Sequence, residues 1–260
     1  MRIAYFGNNR LGLQILKWLR ERNENIVALI VHPPEKQRLT KEIIEISGLP
    51  EDRVFCGNRL REKTVADAIR ASHPDIGLSI LFGYILHESV LSLFSQGCIN
   101  LHPAYLPYNR GAHPNVWSII EGTPAGATLH YMDTRIDTGA IIAQSKVQVE
   151  PVDTGVSLYE KLEAAALRLF CETWPIIKSQ RVESRGQRTE AGSYHYVKDL
   201  QAIEEINLDQ LYTGRQLIDM LRARTFPPHP GCYFKHNGRK VYVSTQLSYE
   251  EQTRSGERDA

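Results

Sequence analysis

Residues 2–12, RIAYFGNNRLG, join a short apolar run to a turn held between Gly7 and Gly12, and helical spacing continues from there through Arg22. A buried strand, a tight turn and a helix in that order open a doubly wound α/β fold. The two glycines could cradle a phosphate, yet they match neither the dinucleotide fingerprint nor the P-loop, which needs a Lys followed by Ser or Thr. Working outward, 25–31 (NIVALIV) reads as a second strand, 39–47 as a helix, 54–56 as a brief strand and 62–72 as a helix with Val65, Ala68 and Ile69 on its apolar side. His73-Pro74-Asp75 stops that helix, 76–80 is a fourth strand, and a short helix over 88–94 leads on to the next.

Beyond residue 139 the pattern resumes. Residues 140–149 alternate as a strand with one wet face, and Leu158, Leu162, Ala165, Leu169 and Trp174 recur at helical spacing over 157–178. Together these elements predict a Rossmann-like α/β domain over 1–180, an open, twisted, mostly parallel sheet flanked by helices. Residues 181–193 (RVESRGQRTEAGS) are polar and aperiodic and predict a linker. Residues 194–248, with a hairpin signal at Asn237-Gly238, predict a small mixed C-terminal subdomain, and 249–260 a frayed tail.

A chain of 260 residues with 42% hydrophobic content has room for one sizeable domain and a small appendage. Its net charge of +1 argues against a surface that coats nucleic acid, so no nucleic-acid partner is expected. Cys56, Cys98, Cys171 and Cys232 are scattered without a CxxC pair, which suits free thiols in a reducing compartment. No run approaches the length of a membrane span and no signal-peptide pattern precedes the first strand, so the expected compartment is the cytoplasm, with no membrane partner.

Residues 97–139 carry the densest chemistry. In Cys98-Ile99-Asn100-Leu101-His102 a strand sends Asn100 and His102 to one face. Pro103, Pro107, Gly111 and Pro114 then break the backbone into a structured loop presenting Tyr105, Tyr108, Asn109 and Arg110, and 133–139 returns as a polar turn with Asp133 and Asp137. An amide beside an imidazole, with a carboxylate arriving from a later loop, suits acyl transfer to an amine. Asn100 can donate to an oxygen that becomes negative, His102 can take the amine's proton, and Asp137 can hold the imidazole. The bland alternative is that Asn100 and His102 only satisfy backbone groups at a strand end.

Asn100-Leu101-His102-Pro103, the loop Tyr105-Leu106-Pro107-Tyr108-Asn109-Arg110-Gly111 and Asp133 through Gly139 resemble the signature of the folate-dependent formyltransferases. The wording His102-Pro103-Ala104-Tyr105-Leu106-Pro107-Tyr108-Asn109-Arg110-Gly111-Ala112-His113-Pro114-Asn115 is most similar to that of the nucleotide-sugar N-formyltransferases. The resemblance implies Asn100, His102 and Asp137 as the catalytic triad and N10-formyltetrahydrofolate as the formyl donor. Phe82-Gly83-Tyr84-Ile85-Leu86 looks like the loop whose backbone bonds the pterin edge, with Asp133 beside it. It further implies a nucleotide-sugar acceptor met by Tyr105, Asn109, Arg110, Tyr196, Lys198 and Arg222, and a product for surface polysaccharide. Sugar enzymes often pair through a C-terminal hairpin, which would place Tyr233, Val241 and Val243 at a homodimer face.

Three other readings stay open. A methionyl-tRNA formyltransferase would use the same chemistry, although the short loop 32–38 lacks the basic insertion of that enzyme. A metallohydrolase could gather His102, His113, His130 and Asp137 around zinc, with spacings that form no compact ligand motif, so no metal is expected. A non-catalytic nucleotide-binding α/β module would leave the polar face of Asn100 and His102 unexplained.

Overall fold

The computed structural model describes residues 1–250. In chain order the elements are β1 (Arg2–Gly7), α1 (Arg10–Glu21), β2 (Asn25–Val31), α2 (Thr40–Ser47), β3 (Val54–Cys56), α3 (Lys63–Ala71), β4 (Ile76–Ile80), α4 (Glu88–Leu91) and β5 (Cys98–His102). There follow β6 (Arg110–Gly111), α5 (Pro114–Glu121), β7 (Ala125–Tyr131), β8 (Ile141–Val147), α6 (Gly155–Lys178), β9 (Tyr194–His195), α7 (Gly214–Ala223), β10 (Tyr233–His236) and β11 (Arg239–Tyr242).

Seven strands form one sheet in the order β3-β2-β1-β4-β5-β7-β8. β3, β2, β1, β4 and β5 run parallel, and β7 and β8 are added antiparallel at the far edge. The order reverses between β1 and β4, and at such a switch point ligands bind outside the carboxyl ends of the strands. Strand β1 shows why the sheet sits between two layers. Ile3 and Tyr5 face a core with Leu11, Ile15, Leu16 and Leu19 of α1, while Ala4 and Phe6 face another with Val65, Ile69 and Phe94. The turn after β1 is not an open phosphate cradle: Asn9 caps α1 by accepting from the Gly12 N–H at 3.0 Å.

The C-terminal subdomain is docked. Ala223 of α7 joins Val116 and Ile119 of α5 and Leu158 and Leu162 of α6 in a third apolar cluster. Segment 181–193 departs from the linker expectation. Arg185 exchanges both backbone hydrogen bonds with Ile141, Ser193 Oγ bonds Asn109, and the chain continues into β9, which pairs in parallel with β6. Its polar side chains lie against polar loops of the main domain, so they left no periodic apolar signal. At the far end Tyr249 bonds Glu150 at 2.9 Å, and the rest of the expected tail, 251–260, lies outside the described residues.

Candidate active site

The site forms at the carboxyl end of β5, where Asn100 and His102 emerge on one face as the strand period requires. β7 pairs antiparallel beside it with Asn100 opposite His130, and the turn after β7 swings Asp137 back across both. Asn100 Nδ2 lies 3.3 Å from Asp137 Oδ1 and 3.2 Å from His130 Nε2. His102 Nε2 lies 3.6 Å from Asp137 Oδ2, and His130 Nε2 3.6 Å from Asp137 Oδ1. The Gly111 N–H donates to Asp137 Oδ2 at 2.9 Å. Burial pushes the Asp137 carboxyl up, but His102, His130 and the Gly111 N–H outweigh it and hold the group well below the usual carboxylate range. A buried carboxylate that stays ionised between two imidazoles is equipped to orient them and to stabilise positive charge on them. His102 Nε2 is directed at the Asn109 carbonyl, 3.2 Å away, and at Asp137, which leaves Nδ1 for an incoming group.

A cavity of about 440 Å³ opens above these residues, and its other wall is the loop after β4. Phe82 and Leu86 bury their side chains in the core, whereas Leu81 and Gly83 have positive φ, +48° and +73°, so the strand ends there and irregular backbone lines the cavity. A Cβ at Gly83 would meet nothing within 4 Å, and Ile85 stands 57% exposed at the rim. Bare amide edges flanked by apolar side chains fit a flat, hydrogen-bonding heterocycle such as a pterin. Behind Phe82, His32 Nδ1 lies 3.0 Å from Asn8 Nδ2 and His32 Nε2 is bonded to the Phe82 carbonyl. Since the Asn8 amide is a donor, Nδ1 accepts and the Nε2–H holds that carbonyl in place.

Phe82, Gly83, Tyr84, Ile85, Leu86 and Asp133 all line this cavity, and so does Tyr196. The Asp133 carboxylate is engaged by the Arg135 N–H and the Thr138 hydroxyl, which closes the turn carrying Asp137. The structure gives partners within the protein to the remaining side chains expected at an acceptor. Asn109 is fully buried, donating to Ser118 and Thr123, each at 2.8 Å, so it braces the loop from inside. Arg222 is buried against the Glu150 and Asp153 carbonyls and Asp219, where it pins α7 to the main domain. Arg110 bonds the carbonyls of Ser193 and Thr189, and the Tyr105 ring packs over Gly126. Lys198 stands over the Tyr196 ring at 5.5 Å. Asn109, Arg110, Arg222 and Tyr105 looked free in the sequence because their partners lie on other elements.

Three contributors escaped the sequence reading: the Gly111 N–H, Gln187, which donates to the Asp137 and Gly139 carbonyls, and His130 as a neighbour of Asn100. The alternation Thr128, His130, Met132 signalled a shared face for His130, but only the strand register brings it opposite Asn100. The zinc alternative is not supported: among the described residues no three His, Cys, Asp or Glu side chains form a metal-holding group, and His113 borders a different cavity.

That second cavity, about 730 Å³, lies behind the loop that follows β5 and is lined there by Pro103, His113 and Asn115. Arg10, Arg38 and Arg224 reach it, with Tyr159 and Phe226 offering rings. Arg10 pairs with Glu163 and Arg224 with Glu204, yet the Arg224 Nε–H is buried without a partner. Burial, then the charges of Arg224 and His229, hold His113 below the ordinary imidazole range. A third cavity, about 540 Å³, lined by Asn8, His32, Lys36 and Arg38, lies between the two, sharing Arg38 with one and Phe82 with the other.

Among known proteins, a methionyl-tRNA formyltransferase from Agathobacter rectalis is 32% identical over 94% of this chain and 88% of its own length. The structure of a 4-N formyltransferase from Francisella tularensis matches with TM-score 0.80 and 29% identity, covering 96% of this chain and 98% of that one. The formyltransferase PseJ from Anoxybacillus kamchatkensis, solved with UDP-4,6-dideoxy-4-formamido-L-AltNAc and tetrahydrofolate, matches with TM-score 0.58 and 29% identity over 85% of this chain and 98% of that one. A family model described as an N-formyltransferase dimerization C-terminal domain matches residues 199–249. The model described as formyl transferase matches residues 1–173, the whole unit that builds the triad and the loop after β4, and the chain therefore belongs to the formyl transferase family, whose members are enzymes of formyl transfer.

Proposed function

We propose that this enzyme transfers a formyl group from N10-formyltetrahydrofolate to the primary amine of a UDP- or dTDP-linked amino-sugar. The observation that carries the reading is the pair of cavities on either side of the loop that follows β5, one walled by the loop after β4 and the other by arginines and rings. The donor's pterin fits the first, against Gly83 and Leu86. The acceptor fits the second, its phosphates toward Arg38 and Arg224 and its base toward Phe226 or Tyr159. This gives the acceptor side different residues from the Lys198 and Arg222 read from the sequence.

Folate supplies the activated formyl group, and the protein supplies position and charge. Asn100 makes two long hydrogen bonds, so either N–H can turn to the oxygen that gains negative charge, with the His102 ring beside it. His102 takes the proton that the attacking amine loses, and ionised Asp137 stabilises the imidazolium that results. Transfer is direct: the new bond from the amine to the formyl carbon replaces that carbon's bond to N10, the N10 nitrogen takes the proton held by His102 as tetrahydrofolate leaves, and no covalent enzyme intermediate forms.

The sugar acceptor draws support from the Francisella tularensis and Anoxybacillus kamchatkensis structures, which this chain covers almost end to end. Methionyl-tRNA is the second reading, favoured by the name of the Agathobacter rectalis relative. The net charge of +1 and an acceptor space bounded by α7 and the catalytic loop favour the smaller substrate. A homodimer through the C-terminal subdomain is part of the proposal. Val241 and Tyr242 are exposed on β11, the Tyr233 ring meets Tyr242 edge-on, and the family model matching this subdomain is described as a dimerization domain.

The test incubates the protein with N10-formyltetrahydrofolate and a panel of UDP- and dTDP-linked 3-amino and 4-amino sugars, following mass gain on each sugar. Formylation of one sugar, abolished by Asn100→Ala, is the expected result. Formylation of charged initiator tRNA alone would move the acceptor to the second reading.

A further inference from the structure

We infer that Gln187 is a positioning residue for formyl transfer: its side-chain amide fixes the backbone of Asp137 and, through it, the carboxylate that faces His102. This rests on the reading of Asp137 as a catalytic residue. Asp137 sits in the left-handed region at φ +53°, a conformation that a non-glycine residue keeps only when its surroundings enforce it. Gln187 Nε2 donates to the Asp137 carbonyl at 3.1 Å and to the Gly139 carbonyl at 2.6 Å. One amide therefore spans the half-turn that bends the catalytic residue into place, and both bonds exist only while that bend is kept.

The orientation of the amide is forced, because a flipped side chain would aim its oxygen at two carbonyl oxygens. The cost is visible: Gln187 Oε1 is buried with no partner. A side chain that leaves its acceptor unsatisfied while using its donor twice is placed for what it donates.

Gln187 is itself anchored from both sides. Two residues before it, Arg185 exchanges backbone hydrogen bonds with Ile141 on β8, and after it Ser193 and His195 accept from the Arg110 and Ala112 N–H groups. The same ladder fixes Gly111, whose N–H grips Asp137 Oδ2. The backbone and the carboxylate of Asp137 are thus referenced to one strap, 185–195, and the strap leads directly into the C-terminal subdomain. Thr138 and Asp133 close the outer side of the turn, leaving the inner side to Gln187.

The test compares Gln187→Met, which keeps length and loses the donor, and Gln187→Glu, which turns a carboxylate on two carbonyls, with His102→Ala and Asp137→Asn. The readouts are kcat, KM for each substrate, binding of 5-formyltetrahydrofolate as a non-reacting folate, and Tm. Gln187→Met is expected to lower kcat on the order of a hundredfold, as small misplacements of a catalytic group do. Folate binding should stay within about twofold and Gln187→Glu should be slower still. Wild-type kcat in Gln187→Met beside an inactive Asp137→Asn would overturn the inference alone. An active Asp137→Asn would overturn it together with the role given to Asp137. A fall in kcat matched by equal losses in folate binding and Tm would reduce Gln187 to a structural residue and also overturn it.

Discussion

Gly111 donates its N–H to Asp137 Oδ2 at 2.9 Å, so the carboxylate facing His102 is held by the loop that His102 itself begins. β5, the proline-broken loop and the turn after β7 therefore meet through one backbone hydrogen bond and a 3.6 Å approach of imidazole to carboxylate. In the proposed mechanism formyl transfer depends on all three segments keeping that register.

Removing any member of the triad should disable transfer. Asn100→Ala, His102→Ala and Asp137→Ala are each expected to lower kcat by about 10²–10⁴-fold, the range of a lost oxyanion donor or general base. Steady-state rates with saturating donor and acceptor would check this, and near-normal turnover in His102→Ala would sink the mechanism.

Asp137 should also mark the acid stability of the fold. Its folded pKa is depressed, so its contribution is complete above the ordinary carboxylate pKa of about 3.9 and is lost as pH falls toward the folded value. Tm measured below about pH 4 should therefore drop more steeply for wild type than for Asp137→Asn. Parallel slopes would mean the group titrates alike in both states.

His32 should govern donor affinity rather than chemistry. His32→Ala frees the Phe82 carbonyl and leaves Asn8 short of an acceptor, which predicts folate binding weakened about five- to tenfold with kcat nearly unchanged. Titration with 5-formyltetrahydrofolate tests this, and unchanged affinity would remove His32 from the folate wall.

On the acceptor side, Arg38→Ala and Arg224→Ala should each raise the acceptor KM on the order of tenfold and leave the donor KM alone. A rise in donor KM instead would exchange the assignments of the two cavities.

Arg222 gives the contrasting case. Its guanidinium bonds two buried carbonyls and Asp219, so Arg222→Ala should lower stability by about 2–3 kcal/mol without changing the acceptor KM. Denaturant unfolding beside steady-state kinetics would separate the two effects.

The parallel strands were legible because a strand buried on both faces must be apolar throughout. NIVALIV could only be such a strand, and β2, β3 and β4 begin and end where turn residues bracket those runs. Asn100 and His102 were legible for a related reason: two polar side chains at alternate positions in an apolar strand share a face and need something there to meet. Segment 181–193 was misread because polar contacts have no period. Its Arg185, Gln187 and Ser193 are ordinary surface residues until the loops they bond are in place. Asn109 and Arg222 failed the same way, since a polar side chain turned inward is indistinguishable in sequence from one turned out.

The sequence by itself therefore determined the sheet, its layers and the chemical types gathered at residues 97–139, because burial and periodicity act over a few residues at a time. Tertiary structure alone decided that His130 stands opposite Asn100, that Asp137 adopts a left-handed bend between two imidazoles, and that a polar strap holds it there. Apart from the pair His130 and Asp137, those relations join groups thirty to fifty residues apart, and hydrogen bonds between them have no local signature until the chain has closed the distance.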